Sequence, residues 1–461
     1  MVFSSNVFLF FFLPGALLLY YLCPRKGRNL LLLLISLLFY AWGEPVYVLL
    51  MVFTILLNFA GGIGLEREKR QGRSGRGILV LTLVLNLALL ACFKYTGFLL
   101  RTLNLMLPAE SRLRVPEILL PIGISFYIFQ SMSYVIDVFR GTVSCQKNLI
   151  TFGAYVSMFP QLIAGPIVRY RDVARQLEQR REGLAQFSAG VSLFVIGLAK
   201  KMLLANPMGL LREELCPNPG CLAAWVSMFA YTLQIYFDFS GYSDMAIGLG
   251  KMFGFEFPLN FDYPYISGSI TEFWRRWHIS LGSWFREYVY IPLGGKRRGL
   301  PRQLLNILIV WSLTGLWHGA SWNFVFWGLY YAFLLALEKL FLLRRTERAP
   351  LGLRRLAVFL LVSFGWVLFA YTDAGELGLF LSHLFGGLPT DVHGRNRILA
   401  YLPLMLLALA AATPYPRKLF QRLPEGALPK TLQVLWLAVL MLLCVSALAG
   451  QSYNPFIYFR F

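Results

Sequence analysis

Charged residues are scarce in this chain: Asp, Glu, Lys and Arg make up only 14% of its 461 residues, whereas hydrophobic residues make up 57%. A soluble domain of this length usually carries about 25% charged residues. No polar stretch is long enough to fold as a separate domain, and the apolar runs approach the ~20 residues with which a helix crosses a bilayer. The composition therefore excludes an ordinary soluble protein and predicts one integral membrane domain over residues 1–461.

Cysteine and histidine are also rare, with six and four residues. They show no spacing typical of a metal site, and the chain contains neither a Walker-type phosphate loop nor a serine in a nucleophile-elbow motif. The sequence therefore predicts no metal centre, no phosphate loop and no nucleophilic serine. Cys216 and Cys221 flank the turn Pro217-Asn218-Pro219-Gly220, where a disulfide could form in an oxidising compartment.

Acidic residues are outnumbered, 23 against 43 Lys and Arg, which gives a formal net charge of +20. In a soluble protein such an excess would favour binding to nucleic acid. Basic residues in short loops instead mark the cytoplasmic side of a membrane protein. Even numbers of predicted crossings separate successive basic segments, so both termini are predicted outside and we expect no nucleic-acid partner. Six short segments hold 29 of the 43 basic residues: Arg25–Arg28, Arg67–Arg76, Arg169–Arg181, Arg275–Arg302, Arg344–Arg355 and Arg417–Lys430.

Apolar runs recur from one end of the chain to the other, and we expect about eleven full spans among them. Thr151–Pro166 is broken by glycine and proline and predicts a re-entrant segment. The first run reads as a span rather than a removed signal. The runs are Val7–Leu22, Leu30–Tyr40, Val46–Ala60, Ile78–Phe93, Phe98–Leu107, Leu119–Val138, Leu184–Leu204, Leu222–Phe239, Leu304–Trp317, Phe324–Leu343, Leu356–Tyr371, Ile398–Ala412 and Leu432–Leu448.

The segment Thr271–Tyr290 has a different pattern. Its large apolar residues fall within about 120° of a helical circle, and Arg275, Arg276 and Arg286 fall outside that arc. This predicts an aromatic-rich helix that lies in the membrane interface. His278 falls just beyond the edge of the aromatic stripe, so it would face either a cavity or the lipid head groups.

His318 lies within a long apolar region, between Leu304–Ile309 and Phe324–Leu337. An ionisable group at that depth is costly and by default indicates function. A neutral imidazole can take the proton from an acceptor hydroxyl as its oxygen attacks an acyl carbonyl. Gly315 and Gly319 would let a helix or a ligand approach closely. The alternative is a histidine that is hydrogen-bonded to a neighbouring helix for packing.

Two carboxylates, Asp238 and Asp244, stand on either side of Gly241 at the end of an apolar run. They could orient a histidine, hold a cation or cap helices, and Asp244 could cap a helix that begins at Met245. The remaining histidines, His383 and His393, have no supporting pattern and are predicted to be surface residues.

Six motifs along the chain are Met1–Ser5, Asp238–Asp244, Trp274–Leu281, Ile291–Gly295, Thr314–Ala320 and Asn454–Phe461. Together they resemble the membrane-bound O-acyltransferase family, most of all its bacterial alginate O-acetyltransferase branch. The resemblance extends over nearly the whole chain. It implies an all-α, polytopic membrane helix bundle in which funnels from both faces meet at a histidine, with His318 as the catalytic residue and His278 in a supporting position.

The same resemblance implies a multi-pass enzyme of the bacterial cytoplasmic membrane. It would take an acetyl group from a cytoplasmic thioester, acetyl-CoA, for O-acetylation of an extracytoplasmic polysaccharide such as alginate, with a separate partner protein for final delivery. No permanently bound cofactor is expected. A basic cytoplasmic mouth would attract the phosphates of the donor, and its candidates are Arg275, Arg276, Lys296, Arg297 and Arg298.

Other functions remain open at this stage. D-alanyl transfer toward teichoic acids is one alternative within the same family. A non-enzymatic transporter of lipid-linked glycans is another, although a carrier would normally show two matching halves, which are not evident in this sequence. A non-catalytic scaffold in an envelope-polymer complex is the third.

Overall fold

The computed structural model describes residues 2–218, 220–342, 348–422, 427–450 and 456–457, and the described residues contain helices and no β-strand. Of the predicted features, Met1, Pro219, Leu343, Arg344, Arg345 and most of the closing motif Asn454–Phe461 lie outside the described residues. The all-α fold class that the family resemblance implies is confirmed.

The chain divides into two compact units, one made of residues 1–194 and 246–258 and the other of residues 195–245 and 259–461. The expectation of a single domain stays a prediction. The helices up to residue 199 are α1 (Leu13–Leu22), α2 (Arg28–Gly43), α3 (Val48–Arg70), α4 (Arg76–Leu90), α5 (Thr96–Asn104), α6 (Ile124–Arg140), α7 (Leu149–Ser157), α8 (Phe159–Leu162), α9 (Tyr170–Glu178) and α10 (Leu184–Ala199).

The later helices include the elements that carry the two central histidines. They are α11 (Asn206–Leu215), α12 (Cys221–Met252), α13 (Ile270–Arg276), α14 (Ile279–Phe285), α15 (Gly299–His318), α16 (Trp322–Leu337), α17 (Leu351–Ala370), α18 (Ala374–Phe385), α19 (Val392–Ala411), α20 (Tyr415–Gln421) and α21 (Ala427–Gly450). Within the part of the chain that the structure describes, five π-helical turns adjoin or join these helices: Phe8–Phe12, Ala91–Tyr95, Lys200–Ala205, Arg286–Tyr290 and Glu338–Leu342.

Among the described residues, six helices are long and apolar enough to cross a membrane, and Phe8–Leu22 is a shorter apolar helix. The six are Val48–Arg70, Arg76–Asn104, Leu184–Leu215, Trp322–Phe341, Leu351–Ala370 and Lys430–Gly450. Helix α12 is long enough, with 32 residues, but it carries Asp238 and Asp244, which lower its mean hydropathy. A multi-pass membrane protein is thus supported, and the count of about eleven spans stays a prediction.

One pair of predicted spans is wrong. The runs Ile78–Phe93 and Phe98–Leu107 form one helix, Arg76–Asn104, that continues through the π-helical turn Ala91–Tyr95. The polar residues of this turn suggest a loop, yet Lys94 is buried and its ammonium donates to the hydroxyl of Ser125 at 3.3 Å. A hydrogen-bonded lysine can therefore lie within a helix that the sequence appeared to interrupt.

The segment predicted to be re-entrant forms two short helices, α7 and α8, separated at Met158. Its residues are buried, including Phe152 and Phe159. Pro160 lies in the first turn of α8, directly after the break, whereas Gly153 lies inside α7. The entry of this segment into the bilayer stays a prediction.

The disulfide between Cys216 and Cys221 is absent from the structure, where both cysteines are free. The thiol of Cys216 lies 3.3 Å from the hydroxyl of Tyr371, and that of Cys221 donates to the carbonyl of Leu384 at 3.1 Å. The two sulfur atoms thus have separate partners on other elements.

Candidate active site

His318 is the last residue of α15 and lies at the turn into α16. Its side chain is only 3% exposed. The imidazole is enclosed by aromatic rings, with centroid distances of 5.0 Å to Trp317, 5.0 Å to Trp327 and 5.5 Å to Phe369. The predicted burial of this histidine is therefore confirmed for the protein interior.

Glycines let α15 and α16 approach closely beside this histidine. A Cβ atom on Gly315 would lie 2.2 Å from the carbonyl oxygen of Phe324, and one on Gly319 would lie 2.0 Å from the Phe324 ring. The close approach predicted for Gly315 and Gly319 is confirmed, and the element that approaches is α16. The packing places His318 at a fixed point of a tight helical hairpin.

The single helix predicted over Thr271–Tyr290 is wrong, and the location of this segment in the membrane interface stays a prediction. The chain forms α13 and α14 with a break at Trp277 and His278, and His278 has a φ of 45°, in the left-handed region. The aromatic stripe is periodic because it packs in the protein core, where Phe273, Trp277 and Trp284 are buried. Periodicity alone continues across the break, so it could not reveal the turn.

The break brings His278 to the other histidine. His278 is 2% exposed, and its ring centroid lies 6.4 Å from that of His318. Phe239 and Trp317 pack against it, at 4.7 and 5.8 Å. The possibility that His278 faces the head groups is thereby overturned, and the two histidines predicted as site residues lie together in one aromatic pocket.

Polar partners fix His278, and the sequence did not indicate them. Its Nδ1 atom lies 3.0 Å from the amide oxygen of Asn260, which also accepts from the backbone N–H and the hydroxyl of Ser280, at 3.3 and 2.9 Å. The amide nitrogen of Asn260 donates to the hydroxyl of Ser243 in α12 at 3.0 Å. Burial lowers the pKa of His278 to about 3, so its imidazole is neutral near pH 7.

The start of α13 is held by a second unpredicted residue. The carboxylate of Glu338, in the π-helical turn after α16, accepts from the backbone N–H groups of Ile270 and Thr271, the latter at 2.9 Å. It also accepts from the hydroxyl of Thr271 at 2.7 Å. These bonds anchor the short helix that leads into His278.

The position of Phe239 along α12 gives the level of the histidine pair. At about 1.5 Å per residue, Phe239 lies about 27 Å from the first residue of α12 and about 20 Å from the last. His278 contacts Phe239, so the pair lies near the middle of this long helix.

Asp238 and Asp244 lie inside α12, so Asp244 does not cap a helix that begins at Met245. Each carboxylate pairs with a lysine of the turn Lys200–Ala205: Asp244 with Lys200 and Asp238 with Lys201, both at 2.6 Å. Asp238 also accepts from the backbone N–H of Ile457 at 2.9 Å. The two aspartates therefore stabilise the packing of α12 through these ion pairs.

The five predicted donor-binding residues fall into two groups. Arg275 is exposed, whereas Arg276 already pairs with Asp262 and Glu272, at 2.9 and 3.0 Å. Lys296–Arg298 are exposed in the loop before α15. Because α15 has 20 residues, this loop lies roughly 30 Å along the helix from His318. The joining of the two groups into one mouth stays a prediction.

Comparison with known proteins agrees with these observations. The model of the MBOAT, membrane-bound O-acyltransferase family, matches residues 140–374. A probable alginate O-acetylase of Pseudomonas putida is 41% identical over the full length of both chains, and one of Azotobacter vinelandii is 39% identical, also over both full lengths. A peptidoglycan O-acetyltransferase of Helicobacter pylori is 32% identical over 80% of this chain and 77% of its own.

Proposed function

This chain belongs to the membrane-bound O-acyltransferase family and is an O-acyltransferase, and we propose that it moves an acetyl group from cytoplasmic acetyl-CoA toward an extracytoplasmic polysaccharide. His318 acts as the catalytic base. The observation that carries this proposal is the contact between two buried histidines, His278 and His318, in an aromatic pocket near the middle of α12.

The chemistry follows from the properties of a neutral imidazole. His318 takes the proton of the acceptor hydroxyl while the hydroxyl oxygen attacks the acetyl carbonyl carbon. The C–S bond of the thioester then breaks, and the proton passes from His318 to the departing thiolate. Aromatic rings around His318 limit the access of water, which would otherwise hydrolyse the thioester.

The donor is a molecule whose phosphates and reactive carbon are far apart. The exposed cations Lys296–Arg298 attract the phosphates, and the charge pattern favours a cytoplasmic location for their loop. The thioester at the end of a long arm then extends toward the histidines. Asn306 supports this loop, because its amide donates to the carbonyl of Gly295 at 3.1 Å.

The hydroxyl that receives the acetyl group at His318 belongs either to the polysaccharide itself or to a separate extracytoplasmic partner protein, which then passes the acetyl group on to the polysaccharide in a second transfer. Support comes from the relatives, whose names specify acetylation of alginate or of peptidoglycan. Acetyl transfer is accordingly favoured over D-alanyl transfer, and alginate is the first polymer to test.

An acetyl-transfer assay in membrane vesicles tests the proposal. Radiolabelled acetyl-CoA is supplied on the cytoplasmic face, and acetyl esters on the envelope polysaccharide are counted. His318→Ala should lower the rate roughly 10²–10⁴-fold, the usual contribution of a general base, while the protein remains folded in the membrane. His393→Ala changes an exposed histidine in the first turn of α19 and should leave the rate unchanged.

The other functions give different results in the same assay. A glycan transporter or a scaffold would show no acyl transfer even as the wild type. A D-alanyltransferase would esterify its polymer from a D-alanine donor and not from acetyl-CoA. If His318→Ala retained the wild-type rate, the proposed role of this histidine would be wrong.

A further inference from the structure

We propose that Asn260 is a positioning residue that holds His278 in the tautomer with its proton on Nδ1, so that Nε2 carries the lone pair. The inference concerns the same site and rests on the proposed acyl transfer. It assigns different capacities to the two histidines, because His278 in this state accepts a hydrogen bond at Nε2 and has no N–H left there to donate.

The hydrogen-bond partners of Asn260 fix the orientation of its side-chain amide. The oxygen and nitrogen of an asparagine side chain are told apart by their partners. The backbone N–H of Ser280 can only donate, and it lies 3.3 Å from the Asn260 atom assigned as oxygen. The other amide atom contacts the hydroxyl of Ser243 at 3.0 Å, which can accept from an NH₂ group. A flipped amide would set two N–H groups against each other.

The orientation of the Asn260 amide determines which nitrogen of the His278 imidazole carries the proton. Nδ1 of His278 lies 3.0 Å from the same amide oxygen. A carbonyl oxygen accepts hydrogen bonds and never donates them, so Nδ1 must carry hydrogen. A neutral imidazole has one N–H, which leaves the lone pair on Nε2. The lowered pKa of about 3 for His278 supports the neutral ring.

The contacts of Asn260 with two helices make this arrangement rigid. Asn260 is fully buried, and its backbone carbonyl accepts from the N–H of Ile279 at 2.9 Å. One residue thus contacts α12 through Ser243 and the first turn of α14 through Ser280. The left-handed backbone of His278 lies between these anchors. Among the described residues, His318 from α15 is an ionisable group in ring contact with His278, whereas Phe239 and Trp317, which also pack against it, do not titrate.

The consequence concerns the direction of proton movement. His278 can accept a hydrogen bond from the acceptor hydroxyl or from an N–H of His318. It cannot pass a proton from Nε2 toward the reacting atoms. His278 is therefore an orienting acceptor beside the base His318.

Nitrogen NMR on protein labelled with ¹⁵N-histidine tests the tautomer without any turnover. The chain has only four histidines, and His278→Gln identifies the signals of His278 by their loss. We expect a protonated Nδ1 and an unprotonated Nε2 in the wild type, and a mixture or the opposite tautomer in Asn260→Ala. Asn86→Ala removes an equally buried amide from α4 and should leave the signals of His278 unchanged. A wild-type His278 protonated at Nε2, or an unaltered tautomer in Asn260→Ala, would overturn the inference.

Kinetics separate positioning from a merely structural role. Asn260→Ala should lower kcat about 10–100-fold, the range usual for residues that orient a functional histidine, with KM for acetyl-CoA within about twofold. Asn260→Asp keeps an acceptor for Nδ1–H and should recover most of kcat at alkaline pH. Its carboxylate also raises the pKa of His278, so activity should be lost as pH falls and Nε2 becomes protonated.

A structural role gives another outcome: both variants would lose activity in proportion to the loss of folded protein, with an unchanged pH profile. That result would contradict the inference. Failure of the proposed function is distinguishable, because it would appear as acyl transfer that survives His318→Ala whatever the tautomer of His278.

Discussion

Alanine in place of Gly315 should impair catalysis more than stability. Gly315 lies three residues before His318, where α15 crosses α16. The added Cβ atom would lie 2.2 Å from the carbonyl oxygen of Phe324, whereas ordinary contact begins at 3.4 Å, so about 1.2 Å of space is missing. The obstacle is backbone, which cannot rotate away as a side chain can. The two helices must therefore separate, and His318 must move with α15.

The expected magnitudes follow from this displacement. Overpacking a core costs about 1–3 kcal/mol of unfolding free energy, and alanine returns up to about 1 kcal/mol through its higher helix propensity. With the full return of about 1 kcal/mol, the net loss is about 0–2 kcal/mol. A reacting group that moves by about 1 Å can lose about 10²-fold in rate. Thus kcat should fall about 100-fold in a protein that remains largely folded.

A matched substitution separates the packing effect from the chemistry of alanine. Gly378 lies in α18, and nothing lies within 4 Å of a Cβ atom built on it. Gly378→Ala should leave both kcat and the unfolding temperature at wild-type values or slightly raise the latter. The acetyl-transfer rate and thermal unfolding in detergent are measured for both variants. A Gly315→Ala protein with wild-type kcat would refute the argument that α16 fixes His318.

Two further predictions address the supports of the site and the donor. Glu338→Ala leaves the N–H groups of Ile270 and Thr271 without their acceptor, which costs about 1–3 kcal/mol each, so thermal unfolding should show a loss of stability of about 2–6 kcal/mol. Glu338→Gln keeps an acceptor oxygen and should lose less. A wild-type unfolding temperature in Glu338→Ala would contradict the anchoring role. Replacing Lys296–Arg298 by alanine should raise KM for acetyl-CoA about tenfold at low salt and leave kcat nearly unchanged. Added salt should reduce this difference in KM, because it screens the charges. An unchanged KM at low salt would mean that the phosphates bind elsewhere.

The helices and their apolar character were predictable because long apolar runs have few alternatives to helix in a bilayer. The same rule failed at residues 94–97, where polar residues suggested a loop within the helix Arg76–Asn104. A π-helical turn with a buried, hydrogen-bonded Lys94 satisfies the polar groups without ending the helix. Hydropathy records only that residues 94–97 are polar and not that their polar groups are satisfied inside the helix. It therefore divides one span into two.

The candidate site was predictable in part. His318 was found because an ionisable residue in an apolar run is conspicuous, and His278 through its motif. The break at His278 was not predictable, since the aromatic residues of Thr271–Tyr290 keep a helical period on both sides of it. The basic residues were grouped by sequence and charge, and the length of α15 puts Lys296–Arg298 roughly 30 Å along the helix from His318.

The residues that sequence reasoning missed share one physical property. Asn260 and Glu338 are polar side chains in an environment where an unsatisfied polar group is costly. That cost requires a partner for each of them, but it does not say which one. The partner of Asn260 lies 18 residues away and that of Glu338 lies 67 residues away, so no local pattern connects them. Each buried polar side chain therefore constrains the fold, because it must have a hydrogen-bond partner. Only the tertiary structure shows which residue that partner is. Asn260 holds the imidazole of His278 directly, and Glu338 holds it through α13.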